Sequence, residues 1–115
     1  MRVLIVDDHA GFRATARSLL ESDGYDVVGE AENAAAALDV ARQMRPDLVL
    51  LDVQLPDLDG FALAKELFAL DPSMRVILTS SRDVEDYRPF IEASPARGFV
   101  PKDELSGAAL AALLE

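Results

Sequence analysis

The chain has 115 residues, of which 50% are hydrophobic and 28% charged, a balance typical of one globular domain. Its 21 acidic and 11 basic residues give a net charge of −10, and such a surface repels nucleic-acid phosphates and anionic lipids. Cysteine is absent, which excludes disulfides and thiolate metal sites. No apolar run approaches the ~20 residues that span a bilayer, and the N-terminus turns acidic too early for a signal peptide. We therefore expect one cytoplasmic domain, residues 1–115, that binds neither nucleic acid nor membrane.

Short apolar runs alternate along the chain with segments whose apolar residues recur every three or four positions. The runs predict strands and the periodic segments predict helices. In chain order the predicted elements are a strand over Arg2–Val6, a helix over Gly11–Ser22, a strand over Asp26–Ala31, a helix over Ala34–Arg42, a strand over Leu48–Leu51, a helix over Gly60–Leu70, strands over Arg75–Thr79 and Gly98–Val100, and a last helix ending near Leu114. Asn33, Asp59 and Ser106 are placed to cap the second, third and last helices.

The fourth helix is predicted to be short. By position it falls within residues 82–94, but Pro89 lies in the middle of that segment. A proline inside a helix costs roughly 3 kcal/mol, whereas in the first turn it costs almost nothing. We therefore predict a helix that starts near Arg88, preceded by an irregular or single-turn segment.

The alternation of strands and helices predicts parallel strands joined by right-handed crossovers. The runs Leu48–Leu51 and Val76–Leu78 are apolar throughout, as expected for strands that are covered on both faces. The fold class is therefore α/β, with an open doubly wound sheet of five parallel strands and helices on both faces. In such sheets the ligand site lies outside the carboxyl ends of the strands, where strand order reverses.

Polar residues follow four of the predicted strands. They are Asp7 and Asp8 after the first, Asp52 at the end of the third, Thr79 and Ser80 at the end of the fourth, and Lys102 after the fifth. Because these carboxyl ends share one edge of the sheet, three carboxylates are crowded together and repel one another. A hard divalent cation with oxygen ligands, Mg²⁺ above all, neutralises such a cluster, and Lys102 adds a further positive charge.

This set of residues suits phosphoryl transfer. A carboxylate can attack phosphorus to form an acyl phosphate, while a metal ion and a lysine neutralise the phosphoryl oxygens. Taken singly, Asp7 and Asp8 are more commonly a solvated turn and Lys102 a surface lysine, so the prediction rests on their joint occurrence. We interpret His9 as the start of the loop into the first helix. Asp57 and Asp59 are interpreted as loop and capping acids.

Three stretches of the sequence resemble the receiver domains of bacterial response regulators in two-component signalling. These are residues 4–9 (LIVDDH), residues 46–60 (PDLVLLDVQLPDLDG) and residues 101–102 (PK), and the resemblance extends over essentially the whole chain. Residues 28–31 (VGEA) further resemble receivers that precede helix-turn-helix output domains. The resemblance implies a flavodoxin-like strand order of 2-1-3-4-5.

The resemblance also implies a role for individual residues around a Mg²⁺ ion. Asp52 corresponds to the phosphoacceptor, Asp8 to a direct metal ligand and Asp7 to a ligand through water. The backbone carbonyl of Gln54 corresponds to a further ligand, and Lys102 to the cation that pairs with the phosphoryl group.

Other positions correspond to the family's switch and loop. Thr79, Ser80 and Ser81 are adjacent candidates for the family's hydroxyl residue. This residue usually lies 22 positions before the lysine, so we choose Ser80, with Thr79 as the alternative. Phe99 matches the switch aromatic, and Pro56 and Gly60 match residues that shape the loop after the acceptor strand. The chain departs from the pattern at Ser81, where a smaller residue is usual, and in the proline of the fourth helix.

The function implied by the resemblance is a switch rather than an enzyme. A histidine kinase or a small phosphodonor such as acetyl phosphate would phosphorylate Asp52, and the face formed by helix 4, strand 5 and helix 5 would then control an output partner or homodimerisation. The alternative is a receiver-like interaction module that works without phosphate. An aspartate-nucleophile phosphatase is disfavoured, because such enzymes carry a second aspartate at the position of Gln54.

Overall fold

Five parallel strands form a single sheet through the centre of the computed structural model, which describes residues 1–115. They are β1 (Arg2–Val6), β2 (Asp26–Ala31), β3 (Leu48–Asp52), β4 (Arg75–Ser80) and β5 (Gly98–Pro101). Their order is β2-β1-β3-β4-β5, so strand order reverses between β1 and β3. The predicted doubly wound sheet and its 2-1-3-4-5 order are confirmed, and three strands extend one residue beyond their predicted ends.

Helices cover both faces of the sheet. They are α1 (Ala10–Ser22), α2 (Ala34–Met44), α3 (Gly60–Leu70), α4 (Arg88–Ala93) and α5 (Gly107–Leu114), with short 3₁₀ turns at Val84–Asp86 and Lys102–Glu104. One core packs α2, α3 and α4 against the sheet, and the other packs α1 and α5 against its opposite face. Every residue of β3 is buried, because its side chains alternate between two cores.

The three predicted caps form as expected. The side chain of Asn33 accepts a hydrogen bond from the N–H of Ala36 at 2.8 Å, and Asp59 accepts one from Ala62 at 2.9 Å. Ser106 accepts one from Ala109, also at 2.9 Å. Each cap satisfies a backbone donor that has no partner within its helix.

Two prolines lie at helix boundaries, one at the start of α4 and one just after the end of α2. The fourth helix begins at Arg88 with Pro89 in its first turn, after the single 3₁₀ turn, as predicted. The prediction that α2 ends at Arg42 was wrong, since the helix continues to Met44. The residue after the helix, Arg45, adopts a left-handed conformation (φ 47°) and is followed by Pro46, which cannot continue the helical hydrogen bonding. None of the five helices has the length and hydrophobicity that a membrane-spanning helix requires.

Candidate functional site

The carboxyl ends of β1 and β3 bring the acidic residues together. Asp7 directly follows β1, and Asp52 is the last residue of the neighbouring β3. Both are buried, with 0% and 4% of their surfaces exposed. Side-chain ligand atoms of Asp7, Asp8, His9 and Asp52 all lie within 4.8 Å of one another. The cluster predicted from the sequence is therefore assembled where strand order reverses.

Lys102 reaches this cluster from the end of β5. Its Nζ lies 2.6 Å from Oδ2 of Asp7 and 3.4 Å from Oδ2 of Asp52. The shorter contact is a close ion pair between the ammonium and the Asp7 carboxylate. The ammonium also lies 4.5 Å from the centre of the Phe12 ring. Burial opposes its charge, but the contact with Asp7 and the charge of Asp52 outweigh burial and raise the pKa of Lys102.

The charges of the cluster do not balance. Burial, followed by the negative charge of Asp7, raises the pKa of Asp52 above its ordinary value. The N–H of Gln54, 3.2 Å from Oδ1 of Asp52, and the charge of Lys102 oppose this rise without cancelling it. The cluster holds the three carboxylates of Asp7, Asp8 and Asp52 but only the one ammonium of Lys102, so one lysine does not fully compensate them. A divalent cation with oxygen ligands fits such a site, and Mg²⁺ favours carboxylate, carbonyl and water oxygens.

His9 is the loop residue expected before α1, and it also lies in the acidic cluster. It is the residue that caps the start of α1, as expected of a loop residue, but its side chain makes no cap hydrogen bond. Instead its Nδ1 lies 3.1 Å from Oδ1 of both Asp7 and Asp8, and its backbone N–H donates to Oδ1 of Asp7 at 2.8 Å. The adjacency of His9 to two aspartates was the only sequence signal for these contacts.

The two hydroxyl residues at the end of β4 lie on opposite faces of the sheet. Thr79 pairs with Asp52 and is fully buried, and its Oγ1 has no hydrogen-bond partner. The side chain of Ser80 lies on the face of Leu78 and Phe99, because residues two apart in a strand share a face and those two residues pair across β4 and β5. Oγ of Ser80 accepts a hydrogen bond from the N–H of Arg82 at 3.0 Å.

Phe99 belongs to a row of aromatic rings that leads to the surface. Its ring centre lies 6.4 Å from that of Tyr87, which lies 5.8 Å from Phe61. Phe61 in turn lies 5.5 Å from Phe90, which is 59% exposed. Phe99 could be singled out from the sequence but Tyr87 could not, because only folding brings the start of α4 against β5.

The loop after β3 is held in place at both ends. The N–H of Gly60 donates to the carbonyl of Val53 at 2.6 Å, which closes the loop against β3. Asp57 accepts hydrogen bonds from the N–H groups of Ala34 and Ala35 at 2.9 and 3.1 Å, so it ties the loop to the start of α2. The exposed Pro56 lines a cavity of about 880 Å³ beside this loop, on its side nearer α3 and α4.

The fold and the buried acidic cluster with its lysine are those of a receiver domain, a domain of two-component response regulators. Residues 3–114 match the family described as the response regulator receiver domain, and the chain belongs to that family.

Similar proteins include signalling proteins of two kinds. A Pseudomonas aeruginosa protein named as a transcriptional regulator is 42% identical over 103 residues, which cover 90% of this chain and 50% of that protein. The chemotaxis protein CheY of Bacillus subtilis is 40% identical over 80 residues, 70% of this chain and 67% of CheY. The isolated receiver domain of Salmonella enterica RcsB, solved with a phosphate-mimicking beryllium fluoride, has a TM-score of 0.88 at 26% identity and covers 99% of this chain and 88% of that one. The chain spans about half the length of the transcriptional regulators that it matches.

Proposed function

We propose that residues 1–115 act as one phosphoaccepting unit, in which Asp52 receives a phosphoryl group in a Mg²⁺-dependent reaction. The observation that carries this proposal is the position of Asp52 at the end of a buried strand, 3.4 Å from Lys102 and within the cluster formed with Asp7 and Asp8. The donor would be a sensor histidine kinase or a small acyl phosphate. The domain would be a switch and not a turnover enzyme.

Asp52 is better suited to attack phosphorus than its neighbour Asp7. Asp7 is fully buried, and its two oxygens already face the backbone N–H of His9 and the ammonium of Lys102. Asp52 receives one backbone hydrogen bond and a longer contact with the lysine. Its less compensated oxygen would form the new bond to phosphorus while the bond between phosphorus and the donor breaks, and the electron pair would leave with the donor.

The remaining residues would hold the metal and the transferred group. Asp8, Asp52 and the backbone carbonyl of Gln54 would bind Mg²⁺, with Asp7 acting through water, and the bound ion would neutralise charge on the phosphoryl oxygens. Lys102 would turn from Asp7 towards those oxygens.

Phosphorylation would be transmitted through Ser80 and Phe99. Ser80 lies on the Phe99 face of the sheet, so a hydroxyl drawn towards the phosphoryl group would change the space available to that ring. We propose that the altered face of α4, β5 and α5 controls an output partner or homodimerisation. A phosphoryl group can shift this equilibrium only to the extent that it binds one conformation better than the other.

Intact-protein mass after incubation with acetyl phosphate and Mg²⁺ tests the proposal. We expect one added phosphoryl group on the wild type and on Asp59→Asn, a matched change of a nearby capping acid. We expect none on Asp52→Asn and none without metal. If the wild type binds Mg²⁺ but gains no mass with acetyl phosphate, or with a kinase in its place, the phosphate-independent interaction module becomes the better explanation.

A further inference from the structure

Arg13 on α1 connects the acidic cluster to β2. Its Nη1 donates a hydrogen bond to the backbone carbonyl of Asp7 at 2.6 Å, and its Nε donates to Oε1 of Glu30 at 3.1 Å. The other oxygen of Glu30 accepts a hydrogen bond from Nε of Arg17 at 2.8 Å. Only 16% of the Arg13 side chain is exposed, compared with 37% for Arg17. The guanidinium of Arg13 is therefore held between two fixed partners in a largely buried position.

Hydrogen bonds hold both the N–H and the carbonyl of Asp7, and Arg13 supplies the one to the carbonyl. The N–H of Asp7 donates to the carbonyl of Ala31 in β2 at 3.0 Å, and its carbonyl accepts from Arg13. A peptide unit is planar, so fixing the carbonyl of Asp7 also fixes the N–H and Cα of Asp8. The Asp8 carboxylate itself is 39% exposed, and its one ion-pair partner is His9. The direction of Asp8 therefore depends on the peptide unit that Arg13 holds.

We propose that Arg13 is a positioning residue for the metal site, which orients Asp8 and Asp7 through the peptide between them. This inference rests on the proposed function, because it assumes that these two aspartates hold Mg²⁺. A guanidinium suits the role because its N–H groups point in fixed, different directions and can reach the carbonyl and Glu30 together. Groups that orient metal ligands in this way typically contribute about 10- to 100-fold to metal affinity.

If Arg13 acted only through its charge, its removal would change the Mg²⁺ affinity in the opposite direction. A positive charge near a cation site repels the incoming ion, so removing it would strengthen Mg²⁺ binding if charge alone mattered. If Arg13 acts by positioning, its removal weakens binding. The sign of the change in affinity therefore separates the two roles.

Arg17 provides the matched control. It carries the same charge on the same helix and binds the same glutamate, with a second, longer ion pair to Glu21 at 3.7 Å. Unlike Arg13, it makes no hydrogen bond to the peptide between Asp7 and Asp8. Truncation of Arg17 thus removes a similar side chain and a similar ion pair without disturbing the proposed metal ligands.

The experiment measures the Mg²⁺ dissociation constant by isothermal titration calorimetry, with thermal unfolding to show that each variant is folded. We expect Arg13→Met and Arg13→Lys to weaken binding about 10-fold or more, and Arg17→Met to leave it within about twofold of wild type, since that variant keeps the restrained peptide. Equal or tighter binding by Arg13→Met, equal weakening by Arg17→Met, or wild-type binding by Arg13→Lys would overturn the inference. If Arg13→Met does not fold, Arg13→Lys decides alone.

The wild-type protein separates this inference from the proposed function. If the wild type neither binds Mg²⁺ nor accepts a phosphoryl group, the proposed function itself fails. If the wild type does both while Arg13→Met matches it in Mg²⁺ affinity, only the positioning role of Arg13 fails.

Discussion

The ammonium of Lys102 lies closer to Asp7 than to the proposed phosphoacceptor, at 2.6 Å from Asp7 Oδ2 and 3.4 Å from Asp52 Oδ2. It therefore compensates mainly a carboxylate that we propose binds metal through water. The oxygens of Asp52, at the carboxyl end of β3, have longer contacts, at 3.2 Å from the N–H of Gln54 and 3.4 Å from Lys102. Because the lysine and the proposed metal ion would neutralise the same cluster, the two cations would compete electrostatically for it.

Replacing Lys102 by Met is expected to tighten Mg²⁺ binding several-fold. It removes the competing positive charge, but it also removes the cation proposed to stabilise the transferred phosphoryl group, so phosphorylation slows. Calorimetry measures the first effect, and the rate of mass gain with acetyl phosphate measures the second. Lys65→Met, which changes an exposed lysine on α3, is the control and should alter neither. Weaker Mg²⁺ binding by Lys102→Met would show that the lysine supports the metal site rather than opposing it.

Replacing Asp52 by Asn is expected to raise the thermal midpoint in metal-free buffer at neutral pH. Burial and the charge of Asp7 raise the pKa of Asp52, so its charged form destabilises the folded state. This destabilisation by the charged carboxylate is complete when the pH is above the raised pKa and disappears as the pH falls below the ordinary value of 3.8. The thermal midpoints of the wild type and the variant should therefore converge in acid. Differential scanning calorimetry from neutral to acidic pH measures this. A variant less stable than wild type at neutral pH would contradict the charge imbalance.

Replacing Gly60 by Ala is expected to destabilise the domain by about 1–3 kcal/mol, the usual effect of overpacking. A Cβ at this position would lie 2.5 Å from the carbonyl oxygen of Asp52 and 2.8 Å from Cα of Val53. The backbone of the acceptor strand would have to move, so Mg²⁺ affinity should fall as well. Gly11→Ala is the control, because nothing lies within 4 Å of its added Cβ and the helix gains up to about 1 kcal/mol. Similar stabilities of the two variants would show that close packing is not what requires a glycine at position 60.

Replacing Asp57 by Asn is expected to accelerate hydrogen exchange at the N–H groups of Ala34 and Ala35. These N–H groups hydrogen-bond to the Asp57 carboxylate and hold its pKa below the ordinary value. The hydrogen bonds to the charged carboxylate therefore stabilise the fold fully when the pH is above the ordinary pKa of an aspartate. This stabilisation is lost as the pH falls through the lower pKa that Asp57 has in the folded state. Amide exchange followed by NMR measures it, with Asp39→Asn on the exposed side of α2 as the control. Unchanged exchange at both amides would exclude this tie between the loop and α2.

Replacing Phe99 by Ala is expected to uncouple phosphorylation of Asp52 from dimerisation or partner binding. The ring packs against Tyr87 and lies on the Ser80 face, so its loss leaves the proposed hydroxyl movement without a group to displace. Phosphorylation is measured by mass and association by sedimentation with and without beryllofluoride. Phe68→Ala, at an aromatic residue that is 46% exposed on α3, is the control. Intact coupling in Phe99→Ala would remove this residue from the proposed switch.

The sequence by itself determined which strands and helices form and their order along the chain. Strand and helix periodicity, the three helix caps and the late start of α4 at Pro89 all depend on neighbouring residues, so local pattern was sufficient to predict them. The meeting of Asp7, Asp52 and Lys102 also followed from the sequence. Parallel strands place their carboxyl ends at one edge, whatever the details of packing.

The tertiary structure alone decided which of these groups touch. Three contacts join residues on different elements. They are the close ion pair of Lys102 with Asp7, the hydrogen bond from Arg13 to the Asp7 carbonyl and the tilted ring contact of Tyr87 with Phe99. Such contacts depend on helix rotation, side-chain length and the angle at which each helix crosses the sheet. Sequence periodicity specifies the buried face of a helix, but it does not specify the partner that a long side chain at the edge of that face will meet.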